Sequence, residues 1–304
     1  MKRIGFFIIT NIAILLVLSV FLSLTGFTGI LQSNGVDLDY NSLMLFSLVF
    51  GMGGSFISLY MSKWMAKKMA GVEIITKPSN EFEKWFLMIV KKQANILNIK
   101  VPEIGIFQSV GPNAFATGSS KNSSLVALSS GLISSMNRDE IEAVIGHEMS
   151  HVANGDMVTL SLIQGIVNAF VIFFSRVIGH FVDRVILKND RGYGIGYFFT
   201  VIFAQVVLGI LASTIVMWYS RQREYRADQG GAELTSKDAM ISSLRALAKY
   251  SSAKLPDQML AFGISNRGKK TFFQKYFSSH PPLSERIERL QKTNIATHSK
   301  QQAN

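Results

Sequence analysis

His147-Glu148-Met149-Ser150-His151 is the stretch on which the reading of this chain turns. Asn137 with Glu140 three residues later has the pattern of a helix N-cap with a capping box, and Asn154-Gly155 reads as a helix end. The pentapeptide therefore lies inside a helix. Residues four apart share a helix face, so the imidazoles of His147 and His151 can reach one metal ion from consecutive turns. Glu148, offset by one residue, can face an attacking water without being a ligand, as a general base should. The bland alternative is two ordinary histidines on an ordinary helix, so a third ligand has to be found.

A hydrolytic zinc takes three protein ligands and keeps a position open. The chain has no cysteine, so thiolate ligands, disulfides and thiolate catalysis are excluded, and any metal must be held by His and carboxylates. Arg221-Gln222-Arg223-Glu224-Tyr225-Arg226-Ala227-Asp228 offers two carboxylates four apart. Glu224 is the candidate third ligand. Asp228 is the candidate acceptor for the second N–H of a zinc histidine, which would fix its tautomer. The competing reading is a solvated, charged helix start.

What joins these distant segments is the apolar sequence between them. Of the 304 residues 48% are hydrophobic, and they gather in long runs, as in a membrane protein. The runs are residues 4–24, 43–60, 158–178 and 197–218, each near the roughly 20 residues that cross a bilayer. Lys2 and Arg3 precede the first, which reads as an uncleaved anchor rather than a signal peptide. Gly51, Gly53 and Gly54 in the second would allow close approach of another helix. Lys63, Lys67 and Lys68 follow it, while the loop 26–42 carries no Lys or Arg. The N-terminus and everything after residue 60 are therefore expected on the cytoplasmic side. Runs three and four contain Gln164, Asn168, Gln205 and Arg176, and could instead be a hairpin buried in the protein. If they span, His151 just before run three and Glu224 just after run four emerge on the same side. The formal charge of +11 suits an anionic lipid surface, since the basic residues flank apolar runs and form no long tract.

Two segments remain for a soluble domain. Asn80 with Glu83 reads as a capping box before an apolar helical stripe of Phe82, Trp85, Phe86, Ile89 and Ile96. β-type stretches follow near 104–107, 113–117 and 125–128, the last two joined by a turn in 118–124. The expected organisation is two N-terminal membrane helices (1–65) and a first part of a zinc-binding domain (66–156). Then come two further hydrophobic helices (157–219), the second part of the domain (220–292) and a polar tail (293–304).

Taken in this order, the motifs resemble the HtpX-type membrane metalloproteases, relatives of the integral-membrane proteases that process prenylated proteins. The resemblance spans nearly the whole chain: two N-terminal spans, the His147–His151 motif, two more hydrophobic segments, and Glu224-Tyr225-Arg226-Ala227-Asp228. It also takes in Pro112-Asn113-Ala114-Phe115-Ala116 and His280-Pro281-Pro282 with Arg286. It implies an α-helical membrane protein carrying an α+β gluzincin-like metalloprotease domain, with about four transmembrane or membrane-embedded helices. It implies one Zn2+ per chain, held by His147, His151 and Glu224. It implies quality-control cleavage of misfolded membrane proteins, a stress-response task, at the inner membrane. By the same resemblance Asn113, Ala114 and Phe115 border the cleft where an extended substrate adds as a strand. His280 stabilises the oxyanion and Arg286 orients that corner. The alternatives are a processing protease for a defined, lipidated C-terminus and a non-enzymatic membrane scaffold. Nucleic-acid binding through Arg267, Lys269, Lys270 and Lys275 is the weakest reading. His180 and His298 are expected to be non-ligands. Oligomeric state is not legible.

Overall fold

The computed structural model describes residues 39–189, 192–253 and 280–295. The first apolar run, the basic-aromatic stretch around residue 270, and His298 in the tail lie outside the described residues. The described residues fall into two compact units, one containing those within 39–57 and 161–216, the other those within 58–160, 217–253 and 280–295.

In the first unit, α1 (Tyr40–Met69) contributes its N-terminal part. α5 (Asp156–Phe181), which ends in a π-helical turn at Val182–Ile186, contributes from residue 161, and α6 (Ile195–Leu234) up to residue 216. Three helices among the described residues are long and apolar enough to cross a membrane. The apolar windows of α5 and α6 are only 22% and 11% buried, which rules out a hairpin enclosed by protein. Phe199, Phe203 and Leu211 on α6 face outward at 71%, 70% and 61% exposure, a cost in water that lipid removes. The chain is an integral membrane protein. Gly51 meets the backbone of Ala169, where a Cβ would lie 2.5 Å from the amide nitrogen. Gly53 and Gly54 have no atom within 4 Å of such a Cβ, so only one of the three glycines serves close packing with another helix. Gln164 donates to Asn168 one turn away at 2.9 Å, so these two polar groups satisfy each other inside the span.

The second unit holds a four-stranded sheet of order β1-β2-β4-β3: β1 Glu73–Ile74, β2 Glu103–Phe107, β3 Ala114–Ser120 and β4 Ser123–Ser129. β2 and β4 are parallel, and the other pairs antiparallel. β4 is central and its Leu125, Val126, Ala127 and Leu128 are fully buried, alternating between two faces. Val126 and Leu128 join Ile104 against α2 (Glu81–Ile96) and α4 (Arg138–Asn154). Phe86, Ile89 and Val90 of α2 complete that core, each worth about 1.5–3 kcal/mol on burial. Leu125 and Ala127 face Phe107, Val72 and the C-terminal part of α1.

The hairpin differs from expectation in its turn. Both strands run further, leaving Lys121 and Asn122 as the turn. Gly118, at φ +148, sits within β3 at a register shift rather than in the loop. The strand β1 and a short helix α3 (Ser130–Ser135) carried no signal in the sequence strong enough to be read. At α2, Asn80 accepts from the Glu83 amide, but the Glu83 carboxylate takes the Ser79 amide rather than closing a box on Asn80. At α4 the capping box is complete: Glu140 N–H donates to Asn137 Oδ1 at 2.9 Å and Asn137 N–H to Glu140 at 3.1 Å.

Candidate metal centre

Three elements build the site. α4 carries His147, Glu148 and His151, all buried. α6 is continuous for 40 residues, roughly 60 Å, about twice a hydrocarbon core. Glu224 therefore rides on the same rod as the apolar run, about 9 Å beyond Trp218. Arg221 to Asp228 does not start a new helix. α7 (Lys237–Ala253) and α8 (Leu283–Lys292) close the other side.

Glycines decide how near α4 and α6 come. A Cβ on Gly231 would lie 3.0 Å from the His147 amide nitrogen, and one on Gly146 3.2 Å from the Gly231 Cα. A Cβ on Gly230 would lie 2.2 Å from Ser150 Oγ and 2.9 Å from Ser150 Cβ. The helices cross almost backbone to backbone beside the histidines, and Glu224 and Asp228 are carried to them.

His147 Nε2 stands 3.5 Å from Glu224 Oε2, and His151 Nε2 stands 3.3 Å from Oε1. One ligand atom from each of the three side chains lies within 4.8 Å of the others. Two ligands about 2.0–2.1 Å from a tetrahedral zinc stand roughly 3.3–3.4 Å apart, which matches these spacings. Glu224 is 1% exposed, yet neither of its oxygens accepts a well-aligned hydrogen bond. A buried carboxylate in that condition is costly unless a cation satisfies it. The donor set of two imidazoles and one carboxylate suits zinc and other first-row metals and not the all-oxygen preference of magnesium or calcium. The residues fit a catalytic zinc.

The far nitrogens of both rings are also held. His147 Nδ1 is 3.0 Å from Asp228 Oδ1, and His151 Nδ1 is 2.7 Å from Asp156 Oδ2. Arg286 grips Asp228 with two N–H donors, Nε at 2.8 Å and Nη2 at 2.5 Å. Burial works against charge at His147, but the Asp228 and Glu224 carboxylates beside it outweigh burial and raise its pKa to about 9. At His151 burial again opposes, and Asp156 with Glu224 prevails, so its pKa is raised. Burial would raise Glu224, but His147, His151 and His280 hold it far below the usual carboxylate range. Asp228 is lowered too, with Arg286 and His147 outweighing burial. The Glu224, Asp228 and Asp156 carboxylates thus gather negative charge around the two imidazoles, which favours a cation between them.

A cleft of about 470 Å³ opens onto this cluster. Glu148, His147, Glu224, His280 and Arg286 form its polar wall, and Leu132, Val144, Met240, Leu244 and Leu283 an apolar one. Pro112, Asn113 and Ala114 line it where β3 begins. The Asn113 backbone is fixed by Ser129, whose Oγ accepts from the Asn113 amide at 2.8 Å. Phe115 departs from expectation. Strand alternation turns its side chain to the opposite face, against Phe107 at 5.3 Å between ring centroids. His280 is half-exposed at the cleft, its Nδ1 2.9 Å from Glu224 Oε2. Arg286 is buried and committed to Asp228, which leaves its guanidinium little to offer a substrate. His180, in the other unit, packs among Tyr193 and Tyr197 and does not join the cluster. Asp156 was not singled out in the sequence. Its signal was an acidic residue directly after the Asn154-Gly155 helix end, five places beyond a histidine.

Comparison with known proteins follows the same lines. Residues 80–294 match the family model described as Peptidase family M48. Protease HtpX of Thioalkalivibrio sulfidiphilus is 57% identical over 291 residues, 95% of this chain and 98% of the relative. Protease HtpX homolog of Nitrosomonas europaea is 55% identical over 292 residues, 96% and 99% of the two chains. Among solved structures, the crystal structure of S. mikatae Ste24p aligns with a TM-score of 0.60 at 18% identity, covering 93% of this chain and 66% of that one. At that identity the likeness is one of fold.

Proposed function

The chain belongs to peptidase family M48 and is a membrane-bound metalloprotease, and from that premise we propose that it uses one zinc ion to cleave unfolded segments of membrane proteins at the cytoplasmic face of the inner membrane. The observation that carries the reading is the convergence of His147, His151 and Glu224 within 4.8 Å, with Glu148 beside them in the cleft wall. His147, His151 and Glu224 are the three ligands. Zinc held there would supply Lewis acidity, polarising the scissile carbonyl and bringing a water pKa down to about 7.

The protein's own residues do the rest. Glu148 accepts the proton of the water as its oxygen bonds to the carbonyl carbon, then passes that proton to the amide nitrogen as the C–N bond breaks. His280 donates to the carbonyl oxygen as negative charge develops on it. No covalent enzyme intermediate is required. Asn113 and Ala114 meet the substrate backbone at the start of the edge strand β3, where an extended chain can add. A folded segment cannot lie along that edge, so selection falls on unfolded chain rather than on a residue code. The cytoplasmic orientation is supported by Lys63, Lys67 and Lys68 in the last turns of α1.

The test is cleavage in proteoliposomes of a membrane protein in folded and unfolded form, beside a lipidated C-terminal peptide. Cleavage of the unfolded form alone, lost in Glu148→Gln with zinc retained, is expected. Preference for the lipidated peptide would replace this reading by a processing role, and undiminished cleavage by Glu148→Gln would end it.

A further inference from the structure

His147 and His151 are each backed by a carboxylate, and the one behind His151 has been given no role so far. Asp156 Oδ2 lies 2.7 Å from His151 Nδ1, and the residue is 1% exposed. An ionised carboxylate only accepts, so Nδ1 keeps its hydrogen and the Nε2 lone pair is left for a cation held between it and Glu224, whose Oε1 is 3.3 Å away. The backbone is bent to make this contact. Gly155 closes α4 at φ +65, ψ 34, a left-handed conformation that side chains disfavour, with its N–H bonded back to His151 and Val152. The chain restarts at once as α5 with Asp156 as its first residue, so the carboxylate folds back over the turn that carries His151. The Arg226 guanidinium faces the other oxygen at 3.9 Å. An acidic residue in a first turn also complements the helix dipole. That role gains nothing from withdrawing the carboxylate from water, nor from aiming it at an imidazole nitrogen.

We propose that Asp156 is a positioning residue of the metal centre, fixing the tautomer and ring plane of His151. The inference rests on the assignment of His147, His151 and Glu224 as ligands. The two membrane-directed helices α5 and α6 then each supply one histidine clamp, Asp156 from α5 and Asp228 from α6.

The experiment measures zinc affinity of the full-length protein in detergent by competition with a chelating dye, for wild type, Asp156→Asn, Asp156→Ala and His151→Ala. Thermal stability of the metal-free forms is measured in parallel, with Asp139→Asn, a first-turn carboxylate of α4, as control. Losing such a clamp typically weakens metal binding about 10–100-fold. Asp156→Ala is expected in that range, and Asp156→Asn, which keeps an acceptor but not the charge, nearer its lower end. The ¹⁵N signals of the imidazole side chains, with five histidines in the chain, should show His151 protonated at Nδ1 in the zinc-loaded wild type and a tautomer mixture in Asp156→Ala. Zinc affinity of both Asp156 variants within twofold of wild type, with only metal-free stability lowered, would make Asp156 a helix-start residue and overturn the proposal. A wild type that binds no zinc, or a His151→Ala chain that still binds it, would instead remove the premise and the proposal with it.

Discussion

Replacing Gly230 by alanine is a small change whose effect on the metal centre can be worked out from distances. In an ordinary helix Gly→Ala is favourable by about 1 kcal/mol. Here the new methyl would stand 2.9 Å from Ser150 Cβ and 2.2 Å from its Oγ. The hydroxyl can rotate away; the Cβ cannot. Restoring ordinary contact near 3.6 Å requires α4 and α6 to separate locally by roughly 0.7 Å, and overpacking of this kind costs about 1–3 kcal/mol. The net change in stability is therefore small, about 0–2 kcal/mol of loss. The effect on function is larger, because His147 and His151 lie on one helix and Glu224 on the other. Metal–ligand distances tolerate about ±0.2 Å, so a shift of that size should weaken zinc at least about 10-fold and lower kcat/KM with it. Chelator competition on detergent-solubilised protein measures the first and cleavage of an unfolded substrate the second. Ser150→Gly in the same chain removes both clashing atoms and should restore most of the affinity. Gly209→Ala, with no atom within 4 Å of the new methyl, should change nothing. Zinc affinity within twofold of wild type in Gly230→Ala, or no rescue by Ser150→Gly, would refute the claim that this crossing sets the site.

Other perturbations follow from the same geometry. Arg286→Gln leaves Asp228 as a buried charge facing His147 without its guanidinium, and should cost about 3–5 kcal/mol by denaturant midpoint. Adding Asp228→Asn should recover part of it. His280→Ala should lower kcat by about 10²–10³ with KM and zinc content little changed, if its work is on the oxyanion; an effect confined to KM would make it a substrate contact only. Because the chain has no cysteine, single cysteines report topology cleanly. Lys188→Cys should react with an impermeant maleimide in intact cells and Ser79→Cys only after permeabilisation; the reverse pattern would invert the proposed orientation.

Much of this arrangement was legible in the sequence because it depends on periodicity. His147 and His151 four apart on a capped helix, and Glu224 and Asp228 four apart beyond an apolar run, are local patterns with one geometric outcome each. The pairing of the two segments followed from treating runs three and four as a hairpin, and His151 and Glu224 do meet at 3.3 Å. What escaped depends on the third dimension. The competing reading of Arg221, Gln222 and Arg223 as a charged helix start fails because no glycine or proline stands between Gly209 and Gly230 to break α6, and straight-chain charged residues continue a helix well. Gly146 and Gly231 matter only because another backbone lies against them, and Gly230 because the Ser150 side chain does. Gly118 looked like a turn and is a strand irregularity, since the same permissive φ serves both. Phe115 was placed at the cleft with its neighbours, although alternation along β3 sends adjacent side chains to opposite faces. Asp156 sits one residue past a helix end, and its reach back to His151 is set by the left-handed turn at Gly155.

Metal content of the purified chain bears most directly on the whole arrangement. Elemental analysis of wild type, His151→Ala and Glu224→Ala, each dialysed against the same trace of zinc, should give one zinc per wild-type chain and substoichiometric zinc in both variants. One zinc retained in Glu224→Ala, or none in the wild type, would contradict the claim that α4 and α6 together grip a single ion.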